Sequence, residues 1–207
     1  MTRFIVVRHA ETTWNMESRY QGQTDVPLSA RGWIEAKCLA ERLADENVAA
    51  IYSSDLARAA DTARVIARRL GQSVILEPRL REANLGEWQG LSYAEVRRRY
   101  FRATDPLPCY AVDQPSRSGE SLRQLQARLL QVVGEITATY PNSNVLLVLH
   151  GGCLRALFCA WLRVELTDYW KLQFESAAVS EVLVNRAGAI VTRLDDCAHL
   201  QLEKSLA

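Results

Sequence analysis

Histidine is scarce in this chain of 207 residues. There are three, with neither an H-x-x-x-H nor an H-E-x-x-H spacing, which is a poor supply of ligands for a transition metal. No charge of one sign dominates either. The 25 Lys and Arg nearly cancel 24 Asp and Glu, for a net charge of +1; nucleic-acid and membrane-surface proteins need a broad basic excess, so neither partner is expected. No apolar run approaches membrane-spanning length. The five cysteines (Cys38, Cys109, Cys153, Cys159, Cys197) are odd in number, scattered, and lack a C-x-x-C pair. With no signal peptide ahead of a strand that starts by residue 3, reduced thiols and a cytoplasmic protein are expected. Repeats and low-complexity segments are absent as well.

What is present is an alternation. Apolar, β-branched runs recur at 3–8, 48–52, 73–76, 145–149 and 180–184, with a weaker one at 189–194. Between them lie stretches of helical period. From 29 to 43, Ile34, Cys38, Leu39 and Leu43 make one face behind Ser29 as N-cap. A second helix over 56–70 ends at Gly71, a good C-cap. Leu122, Leu125, Leu129, Val132, Ile136 and Tyr140 mark a third, stopped by Pro141, and a fourth after Gly151-Gly152 faces inward with Leu154, Leu157, Phe158 and Trp161. Strands alternating with helices imply a three-layer α/β/α fold on a mostly parallel sheet of about six strands. The last two runs, separated by Asn185-Arg186-Ala187-Gly188, form a hairpin. The length suits one domain over 1–207. Residues 92–119, and above all the Pro-rich, aperiodic 102–119, read as an insertion over the sheet edge and a candidate lid.

Two strands end in chemistry. The run Phe4-Ile5-Val6-Val7 stops at Arg8-His9, and Val145-Leu146-Leu147-Val148-Leu149 stops at His150-Gly151-Gly152. Alone, the first could be a basic surface turn, and a lone His is more often a satisfied core residue. Two histidines at the carboxyl ends of two buried strands, one preceded by Arg, favour a site, because ligands of open α/β sheets bind there. The glycines let backbone approach a ligand as a helix begins, and a helix N-terminus favours an anion. In Ser53-Ser54-Asp55-Leu56-Ala57-Arg58, capping by Ser53, Ser54 and Asp55 puts Arg58 in or near the first turn. A cation there opposes the helix dipole unless it faces a bound anion; the alternative is an Arg that snorkels outward, as expected for Arg64, Arg68 and Arg69. The stretch Leu80-Arg81-Glu82-Ala83-Asn84-Leu85-Gly86-Glu87-Trp88 adds two carboxylates in a non-helical loop, of which Glu87 reads as a solvated charge. Cys153 reads as a small core thiol.

These residues, together with Ala10-Glu11-Thr12, Trp14-Asn15, Gln21-Gly22, Asp25-Val26-Pro27-Leu28-Ser29 and Gly119-Glu120-Ser121, resemble the histidine phosphatase superfamily, the clan of cofactor-dependent phosphoglycerate mutases and related phosphatases. The motifs fall in the family's order from residue 3 to about 162. One departure is Ala10, where Gly is commoner; a methyl group there is expected to cost little, a narrower approach to His9 being the one effect it could have. The resemblance implies His9 as a nucleophile that forms a phosphohistidine later hydrolysed by water. It also implies that Arg8, Arg58 and His150 bind the phosphate oxygens without a metal ion. Asn15, Gln21, Gly22 and Gly151 would complete the phosphate pocket. Glu82 would protonate the leaving oxygen and then activate water, with a mildly acidic to neutral optimum.

The resemblance leaves three activities open: a metal-independent phosphomonoesterase, a mutase primed by 2,3-bisphosphoglycerate, and a phosphate-binding module without turnover. The middle segment that encloses phosphoglycerate in the mutases is short here. It holds Arg97, Arg98, Arg99 and Arg102, but three consecutive Arg on a helix point in different directions, while Tyr100, Phe101 and Tyr110 offer apolar contacts. The phosphomonoesterase is therefore favoured, and the full set of site residues ranks the inert module last. No cofactor is implied. The expected partner is a small phosphorylated metabolite, and the chain is expected to be a monomer or a homodimer.

Overall fold

A strand covered on both faces needs apolar side chains at every position, and the first run supplies them. The computed structural model describes residues 1–101, 112 and 118–201. In it, β1 (Thr2–Arg8) sends Phe4 and Val6 into one hydrophobic cluster and Ile5 and Val7 into another, all four fully buried. Its neighbours are β2 (Ala50–Ser53), β3 (Val74–Leu76), β4 (Asn144–Leu149), β5 (Val179–Asn185) and β6 (Gly188–Asp196), in the spatial order β3-β2-β4-β1-β5-β6. The pairings from β3 to β1 are parallel, and the hairpin β5-β6 adds two antiparallel strands. The sheet is thus the mostly parallel one of six strands that the alternation implies.

Helices cover both faces. After the short α1 (Thr13–Met16), α2 (Ala30–Arg42) and α3 (Ala57–Leu70) pack on the side of Ile5, Val7, Ile51 and Leu146. On the other side lie α5 (Leu122–Thr139) and α6 (Gly151–Leu162), against Phe4, Val6, Val145 and Leu147. Each such aliphatic side chain taken from water contributes about 1.5–3 kcal/mol. Between them in the chain comes α4 (Tyr93–Tyr100), and α7 (Ala198–Gln201) closes the described residues. The chain leaves β1 for one face through α2 and leaves β4 for the other through α6. The carboxyl ends of these adjacent strands therefore border a crevice.

The structure corrects two details. On α2, Ile34 is 46% exposed, and the inward row is Gly32, Glu35, Ala36, Leu39 and Ala40. Glu35 turns the helix because its carboxylate accepts the Glu11 amide at 2.9 Å, and a side chain at Gly32 would collide with the Glu11 carbonyl oxygen. The start of α3 is not capped by Ser53, Ser54 and Asp55: Leu56 is its N-cap, and Asp25 Oδ1 accepts from the Ala57 amide at 2.7 Å. Asp55 instead makes a two-bond ion pair with Arg81, at 2.7 and 2.6 Å. Of the insertion expected over 92–119, the first part is the helix α4, opened by a capping box between Ser92 and Glu95. Residues 102–111 and 113–117, with Arg102, Cys109 and Tyr110, lie outside the described residues.

Candidate active site

Because β1 and β4 run parallel with Arg8 opposite Leu149, the residues that follow them arrive at the same level. His9 donates its amide to the Leu149 carbonyl at 2.9 Å, and its ring lies 5.2 Å from that of His150, tilted by 57°. Each ring has a defined tautomer. His9 Nδ1 is 2.7 Å from the Ala10 carbonyl oxygen and must donate to it, which leaves the lone pair on Nε2. His150 Nδ1 accepts from Arg58 Nε at 3.2 Å, so its proton sits on Nε2, a buried atom without a partner. Burial holds both imidazoles well below the usual 6.5, with Arg58 the next cause in each case. Both are neutral at pH 7.

Two guanidinium groups adjoin the rings. Arg58, in the first turn of α3 and 1% exposed, does not snorkel outward. It donates to His150, to the Thr24 carbonyl at 2.8 Å and to the Gly22 carbonyl at 2.6 Å. Burial lowers it to about 10, so it keeps its charge at neutral pH. Arg8 donates through Nη1 to the Phe174 carbonyl, while its Nε is buried and unbonded. Burial lowers its pKa too. Neither cation bonds a carboxylate among the described residues.

The carboxylate of the site is held by amides. Glu82 accepts from Gly152 N at 2.8 Å through Oε2 and from Ala83 N at 2.8 Å through Oε1. A Cβ at Gly152 would stand 2.5 Å from Glu82 Oε1. This glycine therefore makes room for a side chain of the protein itself. The loop that carries Glu82 is clamped from behind: its carbonyl accepts from Gln23 Nε2 and from Arg128 Nη2, both at 3.1 Å. Arg128 in turn holds Glu120 through two bonds, at 2.7 and 2.8 Å. Gln23 and Arg128 were missed by sequence reasoning, which had no way to see bonds made to a main-chain carbonyl. Glu120 stood in the motif set without a role.

Arg8, His9, Asn15, Gln21, Gly22, Arg58, Glu82 and Gly151 all line one cavity of about 370 Å³, and His150, with no exposed surface, lies directly behind it. The structure thus brings together every residue singled out for the site. Asn15 Oδ1 accepts from the Thr12 amide at 3.0 Å and from the Thr12 hydroxyl at 2.8 Å, which turns the Asn15 NH₂ the other way. Gln21 buries an unbonded Oε1. Gly22 contributes by bonding Arg58, and its φ of +53° suits glycine. The methyl group of Ala10 does not narrow the approach to His9. It is fully buried on the α2–α3 side, and the Ala10 amide donates to Thr62 Oγ1 at 3.1 Å. Cys153 is a buried thiol 3.3 Å from the Arg81 carbonyl oxygen, with a pKa pushed well up by burial. Among the described residues no group of three or more His, Cys, Asp or Glu could hold a metal.

Two neutral histidines, two buried guanidiniums and an amide-held carboxyl thus meet at the carboxyl edge of an open α/β sheet, a combination suited chemically to receive an anion. The chain matches the histidine phosphatase superfamily (branch 1) over residues 4–197 and belongs to that family. It is 36% identical over 203 residues to phosphoserine phosphatase 1 of Hydrogenobacter thermophilus, spanning 97% of this chain and 95% of the relative. Glucosyl-3-phosphoglycerate phosphatase of Mycobacterium tuberculosis H37Rv is 37% identical over 179 residues, 81% of this chain and 78% of its own. Among solved structures, Bacillus stearothermophilus YhfR superposes with a TM-score of 0.88 at 31% identity, covering 97% of this chain and all of that one. No helix among the described residues is long and apolar enough to cross a membrane.

Proposed function

We propose that this protein is a metal-independent phosphomonoesterase that hydrolyses a small phosphorylated metabolite through a phosphohistidine, with the chain working as one domain. The observation that carries this is the tautomer of His9: the Ala10 carbonyl binds its Nδ1 proton and leaves a neutral Nε2 lone pair in a pocket of fixed positive charge. His9 Nε2 attacks phosphorus as the P–O ester bond breaks, and Glu82 gives its proton to the departing alcohol oxygen. Water, losing a proton to the Glu82 carboxylate, then attacks phosphorus. The P–N bond breaks, returning neutral His9 and inorganic phosphate. Arg8, Arg58 and the Nε2 proton of His150 hold the phosphoryl oxygens throughout, and they need no rearrangement as charge develops. Asn15, Gln21, Gly22 and Gly151 line the same space.

Relatives named phosphoserine phosphatase and glucosyl-3-phosphoglycerate phosphatase support hydrolysis over mutase action and over an inert module. They also support a small phosphorylated metabolite as the substrate class. The test is ³¹P NMR of the protein with 3-phosphoglycerate, catalytic 2,3-bisphosphoglycerate and EDTA, followed by a wider set of phosphomonoesters. Free phosphate should accumulate with EDTA present, and His9→Ala should lower the rate by at least about 10³-fold. A 2-phosphoglycerate signal growing faster than phosphate would overturn hydrolysis in favour of mutase action.

A further inference from the structure

Resting on that phosphatase reading, we propose that Arg155 selects esters whose alcohol portion carries a carboxylate. Arg155 lies one helical turn beyond Gly151 on α6, so both project on the same side, and both line the cavity. Its guanidinium carbon sits 5.5 Å from the centre of the Tyr169 ring, which desolvates one face of the charge. Its Nε is buried and makes no hydrogen bond, and among the described residues no carboxylate forms an ion pair with it. The other cation of the cavity wall, Arg19, is already committed: it bonds Glu17 and the Gly90 carbonyl and lies near Glu95.

Arg155 is also a surplus charge. The transferred phosphoryl group meets Arg8 and Arg58, and Arg155 stands close enough to Arg8 to act on it as a like charge. Holding a third, unpaired cation beside two others is unfavourable in the empty pocket, and a second negative group on the ligand offsets that cost. An Nε with the adjacent Nη forms a planar two-donor fork, the shape that matches a carboxylate. The cavity is small enough that such a carboxylate must lie within a few bonds of the ester oxygen. The substrate class is therefore the phosphate ester of a small hydroxy acid or hydroxy amino acid.

The test uses ester pairs that differ at the carboxylate: O-phosphoserine against phosphoethanolamine, and 3-phosphoglycerate against glycerol 3-phosphate. In each pair kcat/KM should favour the acid by about 10-fold or more. Arg155→Met should reduce that ratio by about 10- to 100-fold, the range for losing a charged hydrogen bond, while Arg155→Lys keeps part of it. Because the readout is a ratio within one variant, a general loss of folded protein cancels. No preference in the native enzyme, or an equal loss on both members in Arg155→Met, overturns the assignment and leaves the phosphatase reading intact. Failure of the native enzyme on all four esters and on p-nitrophenyl phosphate overturns both.

Discussion

At the scale of the residue, the site is governed by bonds to the main chain. The Ala10 carbonyl sets the tautomer of His9, two amides hold Glu82, and carbonyls of the 22–24 loop fix Arg58. Gly152 is the point where this arrangement has least tolerance. Gly152→Ala would press a methyl group on the Glu82 carboxylate and displace it, and with it the proton donor proposed above. The expected result is a fall in kcat on alkyl phosphates of about 10²-fold or more, the lower end of what general acids contribute. The loss on p-nitrophenyl phosphate should be much smaller, because its leaving group departs without a proton. Equal losses on both would show that Glu82 is not the donor. The residues that sequence reasoning found were those whose type is costly where they stand: a His or an Arg at the end of a buried strand, an Arg in the first turn of a helix. Gln23 and Arg128 stand in unremarkable surroundings in the sequence, and only the folded loop gives them a task.

At the scale of the element, all six strands and the four longer helices that pack on the sheet could be read from apolar runs and helical periods. What escaped were contacts between segments far apart in the chain. The cap of α3 is the clearest case, since Asp25 supplies it from 32 residues upstream of Ala57. The same loop gives the carbonyls that hold Arg58, so the cap ties the 22–25 loop to the helix that carries this cation. Asp25→Ala should cost about 1 kcal/mol of stability, seen as a lower urea midpoint, and should also raise KM several-fold. A stability loss with unchanged KM would mean that the loop keeps its place without the cap. Ile34 failed for a related reason. Its apolar type suggested the inward face, but Gly32 and Glu35 answer to Glu11, a residue outside the helix.

At the scale of the whole molecule, the fold stores titratable groups in neutral form. Burial lowers the pKa of all three histidines, His9, His150 and His199. Below the unfolded value near 6.5, the unfolded chain takes up protons that the native protein refuses, so stability falls with pH. Each histidine adds a slope of up to about 1.4 kcal/mol per pH unit down to its native pKa. Carboxylates such as Glu46 and Asp55, lowered by their hydrogen bonds to Arg3 and Arg81, bring in their effect at lower pH. Urea midpoints should therefore hold steady from pH 8 to 7 and drop between 6.5 and 5. His9→Gln should flatten the drop by about one proton, and a slope unchanged by that substitution would show that His9 is charged in the native protein.

The bond from the His9 amide to the Leu149 carbonyl has a further consequence. It joins the two central strands, β1 and β4, both buried on each face. The last rung of the ladder is thus also the tie between His9 and the strand that ends at His150. Local openings that free loops and helix ends leave such a bond closed, and breaking it requires the sheet itself to come apart. Inactivation by heat and loss of the native fold are therefore expected to be a single event, with the two histidines parting only when the central strands do.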